Sequence, residues 1–258
     1  MPAPAVVALF DPIVPHAAGM ALYRAVGRSL RESIQAGIHP PGSMLPSETA
    51  LAAAFGVSMG TLRKAVDDLV GQGLLVRRQG RGTFVAAHSA ERSLWRYFRI
   101  EREDGLREAV TVDVTAFGRV PADAGAARAL HLDPGAPTLR IELRLHLQGS
   151  VVGCEWLTLP AALFRGLHEK ALRAHAGDLY AWYQAEFGVT VLRATERAAA
   201  VVADRAVRGA LGLATGAAVL QLQRLALSFD DRPVEARRSC FNTAHHDLVT
   251  ALPAGDHP

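Results

Sequence analysis

The stretch GVSMGTLRKAV, residues 56–66, has the pattern of a tight turn that leads into a helix. Ser58 is a good N-cap, because its side-chain oxygen can accept from a free amide of the first turn. Beyond it, apolar residues recur at the three- and four-residue spacing of one helix face. The opposite face is polar. We therefore predict a helix that packs on one side and is exposed on the other; its apolar stripe is Leu62, Ala65, Val66, Leu69 and Val70.

The segments on either side of this helix complete a small domain. An amphipathic helix is predicted from residue 20 to 35, because apolar residues recur every fourth position and a Pro-Pro-Gly cluster follows. A second short helix is predicted after Ser47 and before Gly56. LLVRRQ and TFVAA, joined by a turn at residues 80–82, read as a β-hairpin. Three helices and a hairpin predict a winged helix-turn-helix over residues 20–87.

The chain's excess positive charge lies in this first part. Residues 1–90 carry eight Lys/Arg and five Asp/Glu, which accounts for the whole net charge of +3. This asymmetry favours a polyanionic partner for the first domain. The two cysteines predict free thiols in a reducing cytosol. Residues 1–19 make a poor signal peptide and no long apolar run is present, so we expect a cytoplasmic protein without a membrane span.

The exposed face of the predicted helix suits double-stranded DNA. Thr61 and Arg63 in its first turns can reach phosphates or base edges, and the fork of Arg63 matches guanine. Lys64 suits a phosphate contact. Met59 is open to two interpretations, a contact with a thymine methyl or packing beside the cap. The alternative for the whole surface is a solvated helical bundle; the predicted DNA contacts are Ser58, Met59, Gly60, Thr61, Arg63, Lys64, Arg78, Arg81 and Gly82.

The rest of the chain contains an internal repeat. A shift of 81 residues places residues 122–139 over 203–220, and eight of the 18 positions are identical. Both copies continue as a helix, a Gly turn and two strands. Asp123 and Asp204 suit the starts of their helices, where the backbone dipole favours an acid. We predict a duplicated helix–hairpin unit around one antiparallel sheet, which makes the chain an α+β protein.

The strand TLRIELRLHL, residues 138–147, alternates strictly, so one face packs on helices and the other meets water or a ligand. Arg140, Arg144 and His146 on the polar face suit an anion such as a carboxylate, phosphate or phosphonate. The alternative is a solvated face that Glu142 neutralises. Adjacent His245 and His246 point to opposite sides of an extended segment, so neither a metal nor a cofactor is predicted.

Residues 20–86 resemble the DNA-binding domain of the GntR family of bacterial regulators. The pieces that carry the resemblance include Leu45-Pro46-Ser47-Glu48, Phe55-Gly56-Val57-Ser58, Arg63 and residues 80–85. The resemblance adds Ser47 and Thr49 to the predicted DNA contacts. Two positions depart from the family pattern: Met59 stands where an arginine is usual, and Thr49 where a basic residue is common.

Residues 92–248 resemble the HutC branch of that family, whose effector domain, called UTRA, has a chorismate-lyase-like fold. The resemblance is carried by the run 121–145, by Glu155, and by the stretches 159–167 and 177–189. It implies a small-molecule pocket beside the sheet, with the strand arginine and Glu155 as effector contacts. For Glu155 of the first copy, the repeat register suggests Arg237. The predicted effector contacts are Arg140, Arg144, His146, Glu155 and Arg237.

Together these patterns predict a homodimeric transcription regulator, a repressor whose affinity for operator DNA is controlled by a small effector. The expected parts are a leader (1–19), a winged helix-turn-helix (20–87), a linker (88–108) and a UTRA-like effector domain (109–250). No Gly-x-Ser-x-Gly elbow, P-loop or Cys–His grouping supports an enzyme. The alternative hypothesis is a small-molecule enzyme with a lyase-like C-terminal domain and a vestigial DNA-binding module.

Overall fold

The computed structural model describes residues 21–86, 100–102, 110–147, 149–176 and 179–249. The predicted leader and most of the predicted linker lie outside these ranges. The chain divides into two compact units, Met1–His88 and Ser89–Pro258, and each is described by itself. Within the described ranges, no helix is long and apolar enough to cross a bilayer.

The first unit is a winged helix-turn-helix, as predicted. Three helices precede an antiparallel hairpin in which Leu75 pairs with Val85. Apolar side chains from all three helices and from the hairpin form its core, among them Leu30, Leu62 and Leu69. The elements are α1 (Leu22–Gln35), α2 (Glu48–Phe55), α3 (Met59–Gly71), β1 (Leu75–Arg78) and β2 (Gly82–Val85).

Local capping fixes the two short helices that form the turn motif. Ser47 Oγ accepts from the Ala50 amide at 3.2 Å, and Ser58 Oγ accepts from the Thr61 amide at the same distance. Gly56 ends α2 in the left-handed region, with φ of 62°, which a residue without a Cβ adopts at little cost. These contacts confirm the predicted boundaries of α2 and α3.

The second unit is built on a six-stranded antiparallel sheet in the order β4-β5-β6-β9-β8-β7. A separate pair joins β3, which lies in the predicted linker, to β10 near the end of the described chain. The elements are β3 (Ile100–Arg102), β4 (Thr111–Pro121), α4 (Ala124–Leu130), β5 (Pro137–Leu147), β6 (Ser150–Pro160), α5 (Glu169–His175), α6 (Leu179–Phe187), β7 (Arg193–Val202), α7 (Arg205–Leu211), β8 (Ala218–Leu227), β9 (Pro233–Phe241) and β10 (His246–Leu248).

The internal repeat is visible in this sheet. The shift of 81 residues carries α4 onto α7, and β4, β5 and β6 onto β7, β8 and β9 within two residues at each end. Asp123 caps α4 through the Ala126 amide at 2.8 Å, and Asp204 caps α7 through the Val207 amide at 2.9 Å. The two halves meet where β6 pairs with β9.

The two faces of the sheet have different neighbours. Leu139, Ile141 and Leu143 of β5 are buried in a core with α5 and α6, whereas Leu145 and Leu147 belong to a separate buried cluster. The opposite face carries Arg140 and Arg144, and the short helices α4 and α7 lie against it. Cys154 and Cys240 contribute to a smaller core under α7 on this second face. The alternation of residues 138–147 therefore predicted the two faces of the strand correctly, although Thr138 and His146 on the polar face are also largely buried.

Candidate functional site

The exposed face of α3 presents a guanidinium group that is held by a neighbouring helix. Arg63 has 62% of its side chain exposed, and its Nε donates to Oε2 of Glu48 at 2.8 Å. This hydrogen bond and the charge of Glu48 raise the pKa of Arg63 further above its ordinary value. The guanidinium thus has a defined orientation, while its remaining N–H donors are open for a ligand.

Glu48 also accepts a hydrogen bond from Arg77 of β1, the first strand of the β1–β2 hairpin that forms the wing. Arg77 Nη2 lies 3.4 Å from Glu48 Oε1, and Arg77 forms a second ion pair with Asp67 of α3. Glu48 at the start of α2 therefore connects α3 with the wing. Sequence reasoning missed this role, although Glu48 stands beside the predicted Ser47 and Thr49.

The N-terminal turn of α3 is open toward solvent. Ser58 Oγ and Thr61 Oγ1 are 2.9 Å apart, so the two predicted hydroxyl groups are hydrogen-bonded to each other. Met59 is half-buried, and Gly60 is exposed. A Cβ at Gly60 would find only Ser58 Oγ, at 3.9 Å. Packing within the protein therefore does not require glycine at this position. Because Gly60 has no side chain, the start of α3 stays accessible from solvent.

The remaining predicted DNA contacts lie on the same unit. Arg78 and Arg81 are exposed at the hairpin turn, where Gly82 has a φ of 105° that only glycine adopts easily. The Arg78 guanidinium carbon lies 4.7 Å from the centre of the Phe84 ring, and Lys64 Nζ lies 4.2 Å from that of Tyr23. Thr49 is exposed near the start of α2. Cationic donors thus surround α3, as an interface with phosphates needs.

In the second unit, the five predicted effector contacts divide between the two faces of the sheet, although Glu155 and Arg237 also border the cavities that Arg140 lines. Arg140 and Arg144 lie on the sheet face that α4 and α7 flank. His146 is on their strand but is 82% buried, with Nε2 3.0 Å from Oδ2 of Asp113. Glu155 pairs with Leu143 across the sheet, and its side chain joins that of Arg237 on the opposite face. The pairing register between β5 and β6 determines that Arg140 and Glu155 lie on opposite faces. The alternation within β5 alone cannot reveal this register.

Glu155 and Arg237 belong to a buried network whose charged groups form hydrogen bonds with one another. Arg237 Nη1 donates to Glu155 Oε2 at 2.9 Å, and its Nε and Nη2 donate to the two oxygens of Glu235 at 2.8 and 3.1 Å. Tyr180 and Tyr183 donate their hydroxyl groups to Glu235 at 2.9 and 3.0 Å. Glu155 and Arg237, which were both predicted to contact the effector, are therefore already hydrogen-bonded to each other.

The protonation states in this network depend on the neighbouring charges and on burial. Burial alone lowers the pKa of Arg237, but the attraction of Glu155 and Glu235 outweighs it and raises that pKa. Burial and the charge of Glu235 raise the pKa of Tyr180 and Tyr183, so both phenols stay protonated and donate. The network is therefore a structural element of the core that α5 and α6 cover.

Two adjoining cavities lie on the face that α4 and α7 flank. The larger, about 780 Å³, extends between the two helices. The smaller, about 660 Å³, lies beside α7 and includes Arg144. Arg140 and Trp156 line both. Cavities of this size hold small organic molecules. Among the described residues, no group of three or more His, Cys, Asp or Glu side chains is placed to hold a metal ion.

Comparison with known proteins gives the same division into two parts. A family model described as "Bacterial regulatory proteins, gntR family" matches residues 22–85, and one described as "UTRA domain" matches residues 106–247. The chain is 35% identical to the HTH-type transcriptional regulator Rv0792c of Mycobacterium tuberculosis, over 76% of this chain and 72% of the relative. It is 30% identical to the HTH-type transcriptional repressor PhnF of Mycolicibacterium smegmatis, over 78% of this chain and 80% of the relative.

Solved structures show the same similarity. The ligand-binding domain of a regulator assigned to the GntR family from Bordetella bronchiseptica matches with a TM-score of 0.57 and 31% identity. The match covers 60% of this chain and 97% of that domain. PhnF from Mycobacterium smegmatis matches with a TM-score of 0.51 and 25% identity, over 89% of this chain and all of the other.

Proposed function

Since this chain belongs to the GntR family of bacterial regulatory proteins and carries a UTRA domain, we propose that it is a repressor whose operator affinity a small effector controls. It is a transcription regulator that binds DNA. The observation that carries the proposal is the orientation of Arg63 by Glu48 on the exposed face of α3. A bacterial repressor acts in the cytoplasm, where its operator is.

DNA recognition is assigned to α3 and the wing. The N-terminal half of α3 enters the major groove, where Arg63 can donate twice to guanine and Lys64 neutralises a phosphate. Gly60 lets the helix start come close to the DNA backbone, where free amides of the first turn can bind a phosphate. Arg78 and Arg81 of the wing add contacts beside the groove. The orientation of Arg63 reduces the conformational entropy that binding would otherwise cost.

Effector control is assigned to the second unit. A ligand that binds one arrangement of the protein more tightly shifts the equilibrium toward it, and the coupling is typically ~1–3 kcal/mol, a ~5- to 150-fold change in operator affinity. Support comes from the likeness to a solved ligand-binding domain of the same family and from the two cavities beside Arg140. The names of the relatives favour this regulator over an enzyme with a vestigial DNA-binding module.

We further propose that the regulator is a homodimer, because a symmetric operator needs two reading helices. The surface that supports this is the free edge of β7, which has one neighbour, β8, in the described sheet. Its last five residues, AAAVV at 198–202, carry no charge, and Val202 is 68% exposed. An uncharged edge strand favours antiparallel pairing with a second copy.

The other edge of the same sheet differs. Strand β4 has a bulge between Val114 and Ala116, and Asp113, Arg119 and a terminal Pro121 interrupt its edge. Bulges, charges and proline are the features by which proteins prevent edge-to-edge pairing. The two edges correspond through the internal repeat. Because β7 carries Arg193, Glu196 and Arg197 in its first half, the contrast points to its uncharged last five residues as the part of the edge that pairs.

A mobility-shift assay tests the proposed function. The full-length protein is titrated onto duplex DNA from upstream of its own gene, at moderate salt, against a scrambled duplex of equal composition. The proposal expects a discrete complex with the upstream DNA that excess scrambled duplex does not displace. Equal competition by both duplexes would contradict sequence-specific regulation at this site.

A further inference from the structure

We propose that the cavity between α4 and α7 binds a small organic anion with a flat apolar portion, held by Arg140 and Arg197 over a floor that includes Trp156. This inference deepens the proposed effector control and rests on it only for the biological role of the ligand. The cavity, about 780 Å³, lies within the second unit. Its size is within the range of small-molecule sites.

The register of the sheet determines which side chains meet in this cavity. One row across the strands runs through Trp156, Arg238, Gln223 and Arg197, on β6, β9, β8 and β7. The next row runs through Arg140, Thr158, Ala236, Leu225 and Thr195. Side chains of alternate residues share a face, so both rows project toward the space between α4 and α7.

The centre of the floor is small or apolar, whereas the cationic groups stand around it. Thr158, Ala236 and Leu225 form the middle of the second row. Strands two apart are separated by roughly 10 Å. Arg140 on β5 and Arg197 on β7 are four strand spacings apart, roughly 19 Å at the backbone, so only their long side chains, which both line the cavity, can approach a ligand between them. An apolar floor with a few convergent polar groups is the usual composition of a small-molecule site.

The arginines of the cavity differ in whether they already form an ion pair within the protein. Arg238 donates to Asp204 at 3.0 Å, and its guanidinium carbon lies 4.4 Å from the centre of the Trp156 ring. The side chain of Arg140 is 51% exposed, and its Nε lies 3.8 Å from Oε1 of Glu142, which is too long for a hydrogen bond. Arg197 is exposed and has no hydrogen-bond or ion-pair partner among the described residues. Arg140 and Arg197 are therefore the guanidinium groups available to an added carboxylate or phosphate.

The acidic groups at the rim do not cancel this charge. Asp123 accepts from the Ala126 amide of α4, and Asp204 accepts from the Val207 amide of α7 and from Arg238. These hydrogen bonds, with that to Val207 the largest influence, lower the pKa of Asp204. Both aspartates are thus engaged in capping.

Calorimetric titration of the full-length protein with phenyl phosphate and with inorganic phosphate tests the site. We expect saturable binding of phenyl phosphate, and at least about tenfold weaker binding of inorganic phosphate, which lacks the ring. Replacing both Arg140→Ala and Arg197→Ala should weaken phenyl phosphate binding at least tenfold. Arg128→Ala, an exposed arginine of α4 that does not line the cavity, should change it less than twofold.

The inference is wrong if phenyl phosphate gives no saturable heat, or if the double variant and Arg128→Ala bind it equally. Equal affinity for the two phosphates would overturn the flat apolar portion of the ligand. The mobility-shift assay on the same preparations separates this outcome from failure of the proposed function, because DNA binding by the first unit does not need the cavity.

Discussion

Glu48 Oε2 accepts a hydrogen bond from Arg63 Nε at 2.8 Å, and this contact links the start of α2 to the exposed face of α3. The two residues are 15 positions apart, and each belongs to a different helix of the turn motif. A carboxylate beside a DNA-reading arginine repels phosphates, but it also fixes the direction of the guanidinium. The pair therefore favours selectivity over affinity.

Glu48→Gln should reduce the preference for the operator rather than the affinity for DNA in general. The variant removes a negative charge from the interface and loosens Arg63 and Arg77. We expect the ratio of operator to scrambled-duplex affinity to fall at least about fivefold, within the ~1–3 kcal/mol of one base contact. Fluorescence anisotropy on both duplexes measures it. An unchanged ratio would mean that Glu48 does not orient Arg63 on DNA.

Arg237→Met should destabilise the second unit strongly. Removal of this guanidinium leaves Glu155 and Glu235 buried without a cation, which typically costs ~3–5 kcal/mol. Urea unfolding followed by circular dichroism measures the loss. The control is Arg193→Met, which breaks the exposed pair with Asp231 and should cost less than ~1 kcal/mol. Equal effects of the two variants would contradict a structural role for the buried network.

Native Cys154 should react very slowly with iodoacetamide. Burial first, and the neighbouring Cys240 next, raise its pKa to about 12. At pH 8 the reactive thiolate is then ~1,000-fold or more rarer than for an ordinary thiol. Below pH 12 the native rate should rise about tenfold per pH unit, whereas that of the urea-unfolded chain levels off above pH 9. Mass spectrometry follows the alkylation; rapid labelling of native Cys154 at pH 8 would contradict this environment.

Ala199→Lys should weaken dimerisation through β7. Two copies paired at this edge would place added ammonium groups near each other, and like charges on paired strands repel. Light scattering across a dilution series should show a dimer dissociation constant at least tenfold higher than in the unmodified protein. Ala116→Lys, on the exposed β4 edge, is the matched control. A dimer that survives Ala199→Lys but not Ala116→Lys would place the contact at the other edge.

Local patterns predicted most of the fold. The stripe from Leu62 to Val70 fixed the buried side of α3, and capping by Ser47 and Ser58 set the helix starts. The match between residues 122–139 and 203–220 revealed the two halves of the sheet because each helix–hairpin unit is formed by neighbours in sequence.

The candidate sites depend on contacts between distant residues, and these were predicted less well. Arg140 and Glu155 belong to adjacent strands, but the register places them on opposite faces. Trp156, Arg197 and Arg238 meet in one cavity only because β6 pairs with β9 across the two halves. Alternation within one strand assigns faces to that strand alone, so the sequence could not align the faces of strands that pair across long separations.

The central claim is that α3 reads DNA through Arg63, and one titration tests it most directly. Anisotropy of a labelled duplex from upstream of the protein's own gene is measured with the unmodified protein, with Arg63→Ala and with the remote control Arg128→Ala. The account predicts that Arg63→Ala weakens operator binding at least about tenfold, near the ~1–3 kcal/mol of a bidentate guanine contact, while Arg128→Ala changes it less than twofold. Operator binding by Arg63→Ala within twofold of the unmodified protein would contradict the account.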